Sequence, residues 1–186
     1  MGRRPGESKQ RMLVSAVALL RERGAAGVTV DAVLARSGAP RGSVYHHFPG
    51  GRNQLILAAV RQAGDFITAS IPEDGSPRLV VERFADFWRQ TLRDTDYLAG
   101  CPIVALAVDS RPDLPEAARL VGEIFNRWQQ KLAELLMADG VPGERAGRLA
   151  TLVVAAIEGA VILCRAQRDA APLDDVLTEL TPLLDR

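Results

Sequence analysis

The 186-residue sequence predicts an all-α fold of about nine helices. Apolar residues recur at spacings of three and four along most of the chain, which is the period of a helix with one buried face. The interruptions fall at Gly and Pro, the residues that most often end helices. No segment shows the strict alternation of a half-buried strand. These observations predict packed helices without a sheet.

Three helices are predicted in the first sixty residues. Gly24 suits the end of the first helix, Thr29 is a favourable N-cap for the second, and Pro40 fits the first turn of the third. The predicted spans are 8–23, 30–37 and 40–47. We assign residues 1–60 to an N-terminal domain on this basis.

Six further helices follow, and we assign residues 61–186 to a C-terminal domain. The loop of residues 72–77, which is rich in Pro, Gly and Ser, is the clearest break after the first module. The predicted spans are 53–70, 77–94, 102–108, 115–138, 144–168 and 173–184.

The two short helices on either side of Gly38 have the plan of a helix-turn-helix, in which a tight glycine turn joins two helices. Val33 faces inward from the first helix, and Val44 and Phe48, four residues apart, face inward from the second. Their burial leaves the outer side of the second helix for DNA bases and phosphates. The residues predicted to contact DNA are Thr29, Arg41, Gly42, Ser43, Tyr45, His46, His47 and Arg52.

Within this set the residues are expected to differ in role. Arg41 can donate two hydrogen bonds to guanine, and His46 lies toward the bases. Ser43, Tyr45 and Arg52 are expected to hold phosphates and so fix the register on the duplex. His47 and His46 could instead only cap the helix end.

The segment TVDAVLARSGAPRGSVYHHF, Thr29 to Phe48, resembles the signature of the TetR-type transcriptional repressors. The Pro-Gly-Gly link at 49–51 and Gly-Cys-Pro-Ile at 100–103 resemble the LmrA/YxaF-type branch. This resemblance implies a homodimer whose three-helix N-terminal domain binds a palindromic DNA operator. It also implies a C-terminal domain for dimerisation and for a small apolar or aromatic effector that releases the DNA.

Charge is divided unevenly along the chain. Residues 1–61 carry ten Lys and Arg against three Asp and Glu, a net charge of +7, whereas the rest carries 13 against 20, a net charge of −7. A basic segment joined to an acidic one indicates a module that binds polyanions on a body that repels them. Chance clustering on a solvated surface is the alternative.

The only two histidines, His46 and His47, do not predict a metal site. Adjacent residues point about 100° apart on a helix, so the two rings cannot easily hold one ion. No paired acid and base, phosphate-binding loop or metal cluster occurs at a usable spacing. We therefore expect no enzyme activity, no metal and no cofactor.

The predicted 144–168 helix is apolar on two faces, which is typical of a helix between two layers. Its small residues would let another helix come close. By the resemblance, this helix and the last one form an interface between two subunits, and the alternative is the central helix of a monomer. The predicted interface residues are Leu152, Ala155, Gly159, Ile162, Ala166, Leu177 and Leu180.

Six of the nine aromatic residues lie between positions 84 and 128. They predict either a packed aromatic core or, by the resemblance, a cavity for a flat ligand. Glu158 stands alone in an apolar run and must pair, contact a ligand or face solvent, because burying a bare carboxylate is unfavourable. The predicted cavity residues are Phe84, Phe87, Trp88, Tyr97, Cys101, Phe125, Trp128 and Glu158.

Two other interpretations stay open at the level of sequence. One is a helical protein-binding adaptor whose helix-turn-helix is only structural. The other is a redox-sensing regulator, because Cys101 precedes a predicted helix whose N-terminus would lower the pKa of its thiol. We find no signal peptide, and the apolar run at 149–164 falls short of the ~20 residues that span a bilayer. A cytoplasmic protein without a membrane partner is expected.

Overall fold

The computed structural model describes residues 6–109 and 113–184. This part of the chain contains nine α-helices, one 3-10 turn at Ala25–Gly27 and no strand, so the predicted all-α fold is confirmed. The helices are α1 (Glu7–Arg23), α2 (Val30–Ser37), α3 (Gly42–His47), α4 (Gly51–Ser70), α5 (Pro77–Asp94), α6 (Pro102–Ala107), α7 (Glu116–Ala138), α8 (Gly143–Gln167) and α9 (Ala171–Leu184).

The observed helix ends differ from the predicted ones by at most two residues, and local hydrogen bonds explain the differences. α9 begins two residues early because the Asp169 carboxylate accepts a hydrogen bond of 3.1 Å from the Ala171 amide. α3 begins after Pro40, whose carbonyl accepts from the Ser43 amide at 2.9 Å. The predicted cap at Thr29 is present, since its Oγ1 accepts from the Ala32 amide at 3.1 Å.

The described chain forms two compact units. The first contains the chain up to Asp65 together with residues 102–121, and the second contains residues 66–101 and the chain from Gly122 onward. The predicted domains were instead two continuous stretches divided at residue 60. The first unit takes in residues 102–107 because α6 packs against α1. The domain division itself stays a prediction.

The first unit has an apolar core made by its three N-terminal helices and the start of α4. Arg36 on α2 donates two hydrogen bonds of 2.7 Å to the carboxylate of Glu22 on α1, which fixes the angle between these helices. The side chains that are fully buried in this core include Met12, Leu20, Val33, Val44, Leu55 and Ile56.

The second unit is a bundle in which α8 packs against α5 and α9, and α9 also contacts α5. Arg89 on α5 donates a hydrogen bond of 2.7 Å from Nε to Asp174 on α9. Trp88, Leu92, Ile157 and Leu173 are at most 1% exposed and form the centre of the bundle.

α8 is a core helix of this bundle, although its 25 residues are long and apolar enough to cross a membrane. Its buried face includes Ala150, Val153, Ile157 and Val161, which pack inside the unit. Glu158, also buried, lies within the same helix. A helix of these properties is typical of a bundle interior as well as of a membrane span, and the packing here favours the former.

Candidate nucleic-acid interface and ligand cavity

The turn between α2 and α3 has the backbone that a helix-turn-helix needs. Gly38 lies in the left-handed region at φ 62°, ψ 21°, where a side chain would be strained, and its amide donates to the Leu34 carbonyl. Val33 and Val44 are fully buried and Phe48 is 1% exposed. The inward anchors are therefore placed as predicted, and they fix the outer face of α3.

The outer face of α3 presents a group of side chains to solvent. Arg41, Gly42, Tyr45 and His46 are exposed, and Tyr45 is 61% exposed, which is unusual for so large an aromatic side chain. Thr29 is also exposed, and its hydroxyl proton remains available to a phosphate oxygen because Oγ1 acts as an acceptor in the cap. These five residues form an accessible surface with donors for both bases and phosphates.

Arg41 is paired in the free protein. Its guanidinium donates a hydrogen bond to the carboxylate of Asp31 in the first turn of α2, while its side chain is 78% exposed. The hydrogen bond to Asp31 raises the pKa of Arg41 above its already high value, so the guanidinium stays charged. Asp31 was not predicted from the sequence. It lies ten residues before Arg41 and comes close to it only because α2 and α3 pack against each other.

The two histidine rings lie close together at the end of α3. Their centroids are 4.8 Å apart at an interplanar angle of 68°, and the ring of half-buried His47 also lies 6.5 Å from Phe48. His47 is thus packed beside Phe48, whereas His46 points outward. Across residues 6–109 and 113–184, no group of three His, Cys, Asp or Glu side chains is arranged to hold a metal ion.

Two predicted phosphate contacts are corrected by the geometry. The Arg52 guanidinium donates to the Val28 carbonyl at 2.6 Å and to the Ala25 carbonyl at 2.5 Å, so it fastens the start of α4 to the 3-10 turn. The Ser43 hydroxyl donates its proton to the Pro40 carbonyl at 2.6 Å and cannot give the same proton to a phosphate. Both side chains are half-buried.

The second unit contains a cavity of about 170 Å³ whose wall is almost wholly apolar. Of the residues predicted to line it, Phe84, Phe87, Trp128 and Glu158 do so. The Trp128 indole donates to the Thr68 hydroxyl at 3.1 Å, which fixes its ring on the wall. The wall residues that the sequence did not single out include Phe66, Ile67, Ser70, Val80, Val81, Leu132, Val153, Val154 and Ile157.

Four predicted cavity residues are not on this wall. Trp88 follows Phe87 and therefore points about 100° away on α5, into the core, where it is 1% exposed. Phe125 packs edge-on against Trp128, with centroids 5.3 Å apart, and Tyr97 lies beyond the end of α5 with φ 58°. Cys101 is buried, with its thiol against Glu158.

A sharper use of helical periodicity would have found part of the missed wall. Phe84 lies four residues after Val80 and three after Val81, and Phe87 lies three after Phe84, so the four share one face of α5. Trp88 belongs to the neighbouring face. Aromatic content alone gave no information about which face each ring occupies.

Glu158 lies on the cavity wall but is only 7% exposed. No nitrogen or oxygen donor of the described residues reaches either carboxylate oxygen. Burial raises the pKa of Glu158 to about 7, and the thiol of Cys101, a weak donor, opposes this rise. At neutral pH the side chain is therefore an acid close to half ionised within an apolar space.

The exposed face of α8 carries most of the predicted interface residues. Leu152 is 44% and Ile162 50% exposed, Ala155 and Ala166 are exposed, and Gly159 is half-buried. Leu163, which was not predicted, is 49% exposed on the same helix. Exposed aliphatic side chains on a core helix indicate a surface that another protein covers.

The two predicted interface residues on α9 need correction. Leu177 is 7% and Leu180 4% exposed, because α9 packs on α8 and α5 with the face that carries them. They belong to the core of a single protomer. The spacing of apolar residues along α9 does not distinguish packing within one chain from packing between two chains.

Comparison with known proteins agrees with this architecture. The family described as "Bacterial regulatory proteins, tetR family" matches residues 12–59, and "Transcriptional regulator LmrA/YxaF-like, C-terminal domain" matches residues 77–179. The chain is 43% identical over 182 residues to the HTH-type transcriptional regulator Rv0196 of Mycobacterium tuberculosis, covering 95% of this chain and 93% of that protein.

A second relative and a solved structure extend the comparison. The HTH-type transcriptional regulator LmrA of Bacillus subtilis is 28% identical over 190 residues, covering 97% of this chain and 98% of its own. The regulatory protein TetR from Rhodobacter sphaeroides superposes with a TM-score of 0.83 at 18% identity, covering 94% and 97% of the two chains. These relatives are transcriptional regulators, which confirms that the chain is not an enzyme. The chain belongs to the TetR family of transcriptional regulators, and its C-terminal domain is of the LmrA/YxaF-like type.

Proposed function

We propose that this regulator is a homodimeric repressor that an apolar or aromatic small molecule releases from a palindromic operator. The observation that carries the proposal is the cavity of about 170 Å³ in the second unit, bounded by Phe84, Phe87 and Trp128. A preformed apolar cavity with few polar groups is the usual form of a small-molecule site.

The DNA contacts are assigned to the exposed face of α3. Arg41 is the residue proposed to read a guanine through its two terminal N–H groups, after leaving Asp31. Tyr45, His46 and Thr29 are proposed to contact neighbouring bases and phosphates. One short helix reads few base pairs, so two copies on half-sites one helical turn apart are needed for affinity.

The second copy is proposed to dock on the exposed aliphatic face of α8. Regulators of this family bind DNA operators and act as dimers. Leu152, Ile162 and Leu163 would leave water on dimer formation, and Gly159 would let the partner helix approach closely. A cytoplasmic location follows from action on DNA.

Release is proposed to follow from the connection of the cavity to the DNA-binding helices through α4. The end of this helix, at Phe66, Ile67 and Ser70, lines the cavity, and its first residues follow α3 in the chain. A ligand shifts the equilibrium only by its preference for one conformation, and a nearly complete switch needs about 5.5 kcal/mol. Filling the cavity against α4 is the proposed source of that preference.

A competitive gel-shift titration tests the function. The protein is titrated against the promoter DNA upstream of its own gene, with random duplex as competitor, at two salt concentrations. We expect a complex that survives the competitor and weakens steeply as salt rises, because phosphate contacts release counterions. Flat apolar compounds are then added to the complex, and release of free DNA is expected for those that fill the cavity.

A cavity-blocking variant makes this test specific. Val154→Trp places a large side chain in the cavity, whereas Val14→Trp adds the same group at a position on α1 that is 55% exposed. Release by an active compound should be lost in the first variant and kept in the second. The repressor function would be contradicted if the protein bound neither its own promoter nor any other promoter of the genome more tightly than random DNA.

A further inference from the structure

Among the described residues, Glu158 is the one acidic side chain on the wall of this mostly apolar cavity. Its carboxylate is buried, and within the described chain no nitrogen or oxygen donor reaches it. A buried ionised carboxylate without such donors is strongly unfavourable. The cavity therefore offers a negative charge whose partners are missing from the described residues.

The groups around Glu158 do not supply a counterion. Of the described wall residues, Arg83 on α5 is the only other charged one, and it is exposed to solvent rather than buried with the carboxylate. The parts of α4 and α7 that line the cavity carry no titratable side chain. Cys101 contributes only a weak S–H donor.

We propose that the effector is an organic cation, with an aromatic body that fills the cavity and a positively charged N–H group that binds Glu158. This inference rests on the proposed effector function of the cavity and defines the chemical class of that effector. A cationic N–H group supplies both the charge and the donors that the carboxylate lacks, and such charge-assisted hydrogen bonds are about twice as strong as neutral ones.

The remainder of the wall fits the aromatic body. The volume of about 170 Å³ exceeds the roughly 150 Å³ of an apolar cavity that takes up benzene. Phe84, Phe87 and Trp128 offer ring faces for stacking and for attraction of the cation. Phe66 is 61% and Phe87 36% exposed, and their rings contact each other with centroids 6.4 Å apart, so the cavity reaches solvent beside this pair of rings.

The ionisation of Glu158 gives the inference a pH signature. Because its pKa is about 7, the carboxyl is mostly neutral at pH 6 and mostly ionised at pH 8. A cation binds the ionised form, so its affinity should be about tenfold higher at pH 8 than at pH 6. A neutral hydrogen-bond acceptor binds the protonated form and should show the opposite dependence.

The experiment compares two probes of the same shape by isothermal titration calorimetry with the full chain. 2-Naphthamidine carries a positive charge at both pH values, and 2-naphthamide is its neutral counterpart. At pH 8 the amidine should bind at least about tenfold more tightly than the amide, as expected for a buried charge pair. At pH 6 the amidine should lose about tenfold in affinity.

Two variants assign the effect to one side chain. Glu158→Gln keeps the shape of the side chain and removes the charge, so the preference for the amidine and its pH dependence should both disappear. Glu144→Gln is the matched control, because Glu144 lies on the same helix but is exposed and paired with Arg148. This control should bind both probes like the unaltered protein.

Several results would overturn the inference. These are equal affinity for the two probes at pH 8, binding of the amidine that is as tight at pH 6 as at pH 8 or tighter, an amidine preference that survives Glu158→Gln, or no binding of either probe. A gel shift with the operator complex, in the presence of each probe, distinguishes failure of this inference from failure of the proposed function. If both probes bind equally and both release DNA, the effector function of the cavity is supported and the requirement for a cation is refuted. If the amidine binds selectively but releases no DNA, the cation site is supported and the proposed release mechanism is refuted.

Discussion

Arg41 is the residue on which base recognition is expected to depend. Arg41→Ala should lower affinity for the specific operator about ten- to a hundredfold, the usual effect of losing one bidentate base contact. Affinity for random duplex should fall much less, so the ratio of the two affinities is the quantity to measure by competitive gel shift. Arg61→Ala, at an exposed position of α4, is the control. An unchanged ratio in the Arg41 variant would show that α3 does not read bases through this side chain.

Glu158 is expected to make the folded state less stable as pH rises. Its pKa is about 7 in the folded protein against an ordinary value of 4.5, so the folded state holds its proton over a range where the unfolded state has lost it. Stability therefore falls from about pH 4.5 upward until the folded pKa is passed.

The corresponding measurement is urea unfolding of the unaltered protein and of Glu158→Gln at pH 5 and pH 8. Relative to the unaltered protein, the variant should gain roughly 2–3 kcal/mol of unfolding free energy between the two pH values. The same gain must be absent from Glu144→Gln. A gain of the opposite sign would mean that the carboxylate has acquired a stabilising partner.

Arg52 is expected to stabilise the fold by joining α4 to the 3-10 turn. Its two hydrogen bonds to the carbonyls of Val28 and Ala25 join the start of α4 to the turn that follows α1. Arg52→Ala should cost about 2 kcal/mol of unfolding free energy, because two hydrogen bonds from a charged donor are lost. The Ala25 carbonyl keeps the Val28 amide as a donor, whereas the Val28 carbonyl loses the guanidinium.

DNA binding distinguishes this structural role from a phosphate contact. In the folded Arg52→Ala protein, the slope of log affinity against log salt should be unchanged, whereas loss of one phosphate contact reduces it by about one. A reduced slope with unchanged stability would restore the phosphate contact that the sequence predicted.

At the scale of the helices, the sequence predicted where each helix lies but not which groups its polar side chains would hydrogen-bond. Periodicity and the caps at Thr29 and Gly38 located the helices, because these signals are local. The partners of Arg52 and Ser43 are backbone carbonyls, and a carbonyl has no signature in the sequence. The face of each aromatic residue on α5 could have been derived from spacing, whereas its depth depends on which helices pack there.

The whole molecule is expected to be a dimer held by α8. Ile162→Lys places a charge on the exposed aliphatic face and should yield a monomer by analytical ultracentrifugation, with loss of tight operator binding because two half-sites can no longer be joined. Met137→Lys, on α7 and 46% exposed, should stay dimeric. A dimeric Ile162 variant would move the interface elsewhere.

The fold of the whole chain and its helix-turn-helix could be predicted, but only part of the cavity could. The motif from Thr29 to Phe48 fixes local geometry, so its anchors Val44 and Phe48 were placed correctly. The cavity depends on residues distant in sequence, such as Phe66 and Val154, whose proximity follows from packing. Burial on α9 was assigned to the wrong partner because an apolar stripe does not say whose core it enters.

The pairing of Arg41 with Asp31 has a consequence for how the protein searches a genome. On random DNA, Asp31 competes with the duplex for the guanidinium, because phosphates alone offer it no better geometry than the carboxylate does. A correctly placed guanine, which offers two acceptors in one plane, is expected to displace the acid. The protein should therefore dissociate sooner from the roughly 10⁶–10⁹ competing sites and spend more of its time searching. An acidic residue beside the reading arginine thus shortens residence at wrong sites while leaving the right one occupied.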